Sequence, residues 1–183
     1  FAVETKVEGV TDASESLTHF FFDRLRVMMR EAGYTAQEAD AVLAKHDTDL
    51  AQTPKKLAAV HKFMQLPESA SLAAANKRIA NILKKSADVQ TGEVDKELLV
   101  EEAEKRLHDV LGDHEPIAKL FYDKGEYEGM LATLTPLKDP VDAFFADVMV
   151  NSEDEKLRLN RLALLKRLYS LMNRVAELSR LAI

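Results

Sequence analysis

The sequence predicts an all-α protein, a helical bundle of roughly eight or nine helices joined by short connections. Three observations predict it. Apolar residues recur at three- and four-residue spacing along most of the chain, and no segment alternates with the period of two that a half-buried strand requires. Helix starts are marked by Thr35 with Glu38 and by Ser152 with Glu155, each a hydroxyl followed three residues later by a glutamate. Only six glycines and five prolines punctuate the 183 residues, and they separate the periodic segments.

Residues 1–16 are polar and acidic and read as a linker or frayed end, leaving residues 17–183 as one helical domain. A first helix begins at Leu17, with Phe21, Leu25, Met28 and Ala32 on its inward stripe, and Gly33 ends it. The Thr35–Glu38 pair opens a second helix that reaches about Ala44. Thr53 followed by Pro54 starts a third, with Leu57, Val60 and Phe63 inward. Pro67 opens a fourth, basic helix, and Ser86 to Val94 form the clearest loop. An acidic helix follows from Asp95 to about Leu111, closed by Gly112. Pro116 begins a short helix that ends before Gly125, and another runs from Glu126 to about Leu134. Pro136 and Pro140 bracket a bend ahead of the helix Val141 to Met149. The Ser152–Glu155 pair opens the last helix, which runs nearly to the C-terminus.

Composition bounds the function. With 46% hydrophobic residues the chain can bury a core without staples, and with no cysteine it has neither disulfides nor thiolate metal sites. That is compatible with a reducing, cytoplasmic setting. No apolar run reaches the length of a membrane span, and the first residues lack the basic start and apolar core of a signal peptide. The chain starts with Phe1 and reads as a piece of a longer protein. Neither GxxxxGK[ST] nor GxGxxG occurs, so a phosphate-cradling nucleotide loop is not expected. The five histidines (His19, His46, His61, His108, His114) lack paired metal-ligand spacing. His46 with Asp47 and Asp49 sits in a polar connection and reads as a solvated turn. No catalytic constellation is expected, and no cofactor site.

The formal net charge is −6, which argues against indiscriminate coating of DNA, yet the charge is unevenly placed. Residues 156–183 hold seven cations (Lys156, Arg158, Arg161, Lys166, Arg167, Arg174, Arg180) against one acid, Glu177. The segment Leu72 to Lys85 holds Lys77, Arg78, Lys84 and Lys85 with two amides, Asn76 and Asn81, and no acid. At about 100° per residue, Leu72, Ala75, Ile79, Ile82 and Leu83 share one stripe, and Lys77, Asn81 and Lys84 share the opposite face. Such a face is either a solvated surface or an RNA footprint, since cations neutralise phosphates and amides read unpaired base edges.

Phe144 and Phe145, with Val141, Val148 and Met149, follow core spacing, which predicts burial over base stacking. Tyr122 and Tyr127, near loop ends, are better candidates for exposed rings. Arg161 falls inside the apolar stripe of the last helix, among Leu157, Leu164, Leu165 and Leu168. A buried arginine must find carboxylates or carbonyls. Asp142 and Asp147 in the preceding helix, or helix-terminal carbonyls, are the expected partners of this structural clasp.

Three blocks, Ala73 to Leu83 (AAANKRIANIL), Pro140 to Asn151 (PVDAFFADVMVN) and Asn160 to Leu165 (NRLALL), occur in the order found near the C-terminus of bacterial glycyl-tRNA synthetase β subunits. The chain resembles that family from about Phe20 to Ile183, least well between Ser86 and Gly112. The literal Asp-Ala-Leu-Arg signature of the wider anticodon-binding class is absent. The resemblance implies an all-helical anticodon-binding domain of the type shared with arginyl-tRNA synthetases, acting on glycine tRNA. It implies that ATP, glycine and magnesium are handled by a separate α subunit in an α2β2 enzyme, so this chain alone would not catalyse. On that reading Lys77, Arg78, Asn81 and Lys84 contact tRNA, and Arg24, Arg26 and Arg30 of the first helix widen the surface. The rival is a helical module that docks another subunit, its sticky area supplied by Leu178, Leu181 and the final LAI.

Overall fold

The computed structural model describes residues 14–45 and 50–182. Most of the expected N-terminal linker and the polar turn of His46, Asp47 and Asp49 lie outside the described residues. Within them the regular structure is helical: α1 (Ser14–Glu31), α2 (Ala36–Leu43), α3 (Thr53–Phe63), α4 (Ser69–Lys85), α5 (Glu102–Asp123), α6 (Tyr127–Ala132), α7 (Lys138–Asp147) and α8 (Glu155–Met172). Four 3-10 turns interleave them, at Leu50–Gln52, Lys96–Leu98, Thr135–Leu137 and Leu178–Leu181. The fold is all-α. None of these helices is long and apolar enough to cross a membrane.

Local chemistry explains several boundaries. Thr35 accepts a hydrogen bond from the Glu38 N–H while the Glu38 carboxylate accepts from the Thr35 N–H, the capping box expected for α2. Gly33 and Gly125 end α1 and α5 with φ of 94° and 70°, a left-handed turn that a Cβ would oppose. After Gly125 the Glu126 N–H donates to the Phe121 carbonyl, six residues closing on one.

Other boundaries depart from expectation. The acidic helix and the short helix after it are one element, α5, running through Gly112 and Pro116. Proline removes one helical donor and crowds the carbonyl four residues back, which here belongs to Gly112. Against that cost stand Leu107, Leu111 and Ala118, all fully buried. Their spacings of four and seven keep one face only in an unbroken helix. At the other end α5 starts at Glu102, because the Glu104 carboxylate accepts from the Val100 and Glu101 N–H groups and caps the helix there. Asp154, not Ser152, caps α8, accepting from the Lys156 and Leu157 N–H groups.

The last helix stops at Met172, well short of its expected end. Asn173 donates to the Tyr169 carbonyl and accepts from the Leu178 N–H, which turns the chain back. The Glu177 N–H then donates to the Ala41 carbonyl of α2, and the Tyr169 hydroxyl donates to the Glu177 carboxylate at 2.9 Å. Burial and that carboxylate push the Tyr169 phenol from 10.0 up to about 12. The folded value lies above the unfolded one, so this contribution to stability is whole below pH 10 and is lost as the pH climbs toward the folded value. Thermal melts in an alkaline series should therefore fall more steeply for the native chain than for Tyr169→Phe. Parallel profiles would count against this assignment.

The core is continuous. α5 lies centrally against α6, α7 and α8, while α3 packs on α2 and α6. α4 lies over the Leu178–Leu181 turn, α8 and α7. Phe63, Leu72, Ile79, Leu107, Leu111, Phe144, Leu164 and Leu168 have less than 2% exposure or close to it. Each such side chain contributes about 1.5–3 kcal/mol relative to an exposed one. The helix α1 is turned from its expected phase. Phe22, Leu25 and Met29 face inward, whereas Phe21 at 45% and Met28 at 62% are exposed, as is Ala32. With apolar residues at three successive positions twice over, α1 has two apolar phases, and packing on α2 selects one.

Candidate nucleic-acid interface

The helix α4 is long because SASLAAANKRIANILKK is rich in strong helix formers and has no glycine or proline. Leu72, Ala73, Ala75, Asn76 and Ile79 form its buried face, with Ile82 and Leu83 partly buried. Asn76, one of the two amides, therefore points into the core, fully buried, and is no base reader. Lys77, Arg78, Asn81, Lys84 and Lys85 are exposed. On the helical wheel they span an arc of roughly 120°. The structure thus brings Lys77, Arg78, Asn81 and Lys84 to one solvent-facing side of a single rigid helix.

That face keeps its charge free. Among the described residues Arg78, Asn81, Lys84 and Lys85 make no hydrogen bond or ion pair, and Lys77 reaches only the Ala182 carbonyl at 3.4 Å. Several cations elsewhere are spent on neighbours. Arg167 forks onto Glu115 with two 2.8 Å bonds, and Lys138 pairs with Asp139 and Asp142. Arg26 is committed in the same way, held at 2.6 Å by Asp40 of α2 and at 2.8 Å by Asp23. The Asp40 hydrogen bond, foremost, raises the Arg26 pKa, so its charge serves the α1–α2 junction. Arg24 and Arg30 are exposed on α1, which packs mainly on α2.

Arg161 is buried at 5% exposure, and its carboxylate partner differs from the expected one. Its Nε donates at 2.7 Å to Glu104 of α5, itself fully buried, and its Nη1 donates at 2.9 Å to the Met149 carbonyl just beyond α7. Asp142 instead accepts from Ser71 of α4 and Lys138, and Asp147 faces solvent. α8 meets α5 at Arg161–Glu104 and again at Arg167–Glu115, which places the N-terminus of α5 beside Arg161. The signal for Glu104 was present: a glutamate on the same face as Leu107 and Leu111 is an acid inside an apolar stripe. Beside it, Asn160 both donates to the Asp95 carbonyl and accepts from the Asp95 N–H, pinning the end of the loop. The Asn160–Arg161 pair is therefore structural.

The aromatic expectations divide. Phe144 is fully buried, while Phe145 is partly buried with the Arg78 guanidinium carbon 4.1 Å above its ring. Tyr127 is buried at 7% and Tyr122 only partly exposed. Their rings meet edge to face, with the Lys56 ammonium 5.3 and 5.9 Å from their centroids. α3 packs on α6 and brings Lys56 over both rings, which loop proximity alone does not foretell. Leu178 and Leu181 are buried against α2 and α4, which takes these two out of the sticky area of the docking alternative, while Ile183 lies outside the described residues.

Residues 72–178 match the family model of the DALR anticodon binding domain. The segment begins inside α4 and ends in the Leu178–Leu181 turn that α4 covers. The chain is similar to glycine–tRNA ligase β subunits. That of Leptothrix cholodnii is 52% identical over 181 residues, covering 99% of this chain and 25% of the relative. That of Acidovorax sp. strain JS42 is 51% identical over 182 residues, covering 100% and 25%. That of Paracidovorax citrulli is 53% identical over 176 residues, covering 96% and 25%. The chain spans about a quarter of the length of the curated relatives it matches.

Proposed function

We propose, from the premise that this chain belongs to the DALR anticodon-binding domain family, that it is the tRNA-binding portion of a glycine–tRNA ligase β subunit and meets the anticodon loop with the solvent face of α4. The observation that carries this is the free face itself. Lys77, Arg78, Asn81, Lys84 and Lys85 stand unpaired by any carboxylate on a helix without an acid, in a chain of net charge −6. Anticodon bases are unstacked, and their edges are open to side chains. The cations supply affinity through phosphates, and Asn81 supplies selectivity at a base edge.

In this reading the domain captures glycine tRNA and leaves the chemistry elsewhere. ATP, glycine and magnesium belong to an α subunit, and the complete cytoplasmic enzyme is α2β2. The similarity to glycine–tRNA ligase β subunits supports that assignment.

The test compares glycine tRNA with the same tRNA carrying a changed anticodon, across a salt series. The chain should bind glycine tRNA with a dissociation constant on the order of 10⁻⁴ to 10⁻⁶ M, the scale of a mainly electrostatic contact. Asn81→Ala should narrow the preference between the two tRNAs more than it weakens either. Equal binding to both, untouched by Asn81→Ala, would remove the anticodon from the proposal.

A further inference from the structure

We propose that Arg78 is a stacking shelf, its guanidinium plane laid on the Phe145 ring so that its outer face receives an unpaired nucleobase of the bound RNA. This deepens the anticodon-loop reading above and rests on it. The guanidinium carbon lies 4.1 Å from the Phe145 centroid, well inside the roughly 6 Å range of a cation over a ring. The ring is itself anchored. It meets Phe144 edge to face at 5.6 Å, and Phe144 has no exposure at all. Arg78 belongs to α4 and Phe145 to α7, and the two helices are held together a little further along by the Ser71–Asp142 hydrogen bond of 3.1 Å. The shelf therefore stands on the core and not on a mobile loop.

Three features point to a nucleobase flanked by phosphates as the ligand. Arg78 is exposed and makes no hydrogen bond or ion pair among the described residues, so nothing else consumes its outer face. A guanidinium plane is one of the surfaces on which splayed bases stack, and a lysine offers the same charge without the plane. Asn81 is one helical turn onward, close enough for its amide to meet the edge of a base whose face rests on Arg78. Lys77 and Lys85 stand on either side of that line, where the sugar–phosphate backbone of the stacked nucleotide would pass. A phosphate site alone would need neither the ring beneath the arginine nor the amide beside it.

The decisive substitution is Arg78→Lys, which keeps the charge and removes the plane. Binding is read with the chain and glycine tRNA that carries 2-aminopurine at a purine position of the anticodon loop. Stacking should quench the fluorophore in the native complex, and Arg78→Lys should restore its emission. The same variant should weaken binding roughly 5- to 150-fold, the span of one stacked base, with the salt slope unchanged. Phe145→Leu, which keeps an apolar filler under the arginine, should give a partial version of both effects. Arg78→Lys that binds and quenches like the native chain would overturn the shelf and leave Arg78 a phosphate contact, with the anticodon reading intact. Failure of the native chain to bind glycine tRNA at any salt would overturn both.

Discussion

Replacing Arg161 with alanine is expected to lower the stability of the domain by about 3–5 kcal/mol, the cost of stranding one charge of a buried pair. Glu104 is fully buried and receives the 2.7 Å bond from Arg161. Without the guanidinium its carboxylate keeps only the two N–H donors at the start of α5. The Met149 carbonyl is left without its arginine donor as well. Three elements would loosen together: the N-terminus of α5, the exit of α7 and the middle of α8. Urea unfolding measures the loss directly. The paired change Arg161→Met with Glu104→Leu should recover only part of it, since removing both charges strands neither but takes the acceptor from the Val100 and Glu101 N–H groups and the donor from the Met149 carbonyl. A cost below about 1 kcal/mol for the single change would mean that the pair is not desolvated in solution.

The second large effect belongs to binding. Changing Lys77, Lys84 and Lys85 together to alanine should reduce affinity for glycine tRNA by two to three orders of magnitude near 0.1 M salt, roughly tenfold for each phosphate left without its cation. The slope of log affinity against log salt should become shallower by about 2 to 3. All three side chains are exposed and none supports the core, so the thermal midpoint should hold and separate a binding defect from unfolding. The variant differs from Arg78→Lys in this respect, since it moves the salt slope and that one does not. Unchanged slopes would place the phosphate contacts on another surface, such as the exposed Arg24 and Arg30 of α1.

The α4 face is legible in the amino-acid sequence because its information is local. Lys77, Asn81 and Lys84 are spaced by four and three, and a helix of that composition puts them in line whatever it packs against. The same is true of the Thr35–Glu38 capping box and of the stops at Gly33 and Gly125, which act within one turn. Asn76 follows the same periodicity, four residues after Leu72 and three before Ile79. Composition places it among the amides of a polar segment, yet at one position from Lys77 it falls on the buried side.

The sequence by itself determined the all-α class, the basic side of α4 and the burial of Arg161, because periodicity and the cost of an unpaired charge are properties of neighbouring residues. Only the tertiary structure decided the rest. Gly112 and Pro116 are breakers by propensity, but the buried run Leu107, Leu111 and Ala118 keeps α5 whole. α8 has helical spacing beyond Met172, but Asn173 and the Glu177–Ala41 bond turn the chain under α4, which buries Leu178 and Leu181. α1 has two apolar phases, and packing on α2 chooses between them. Arg161 needed an acid, and Glu104, distant by 57 residues in sequence, supplies it in place of the nearer Asp142 and Asp147. In each case local preferences differ by a few kcal/mol or less, and the apolar area and paired charges gathered from remote segments outweigh them.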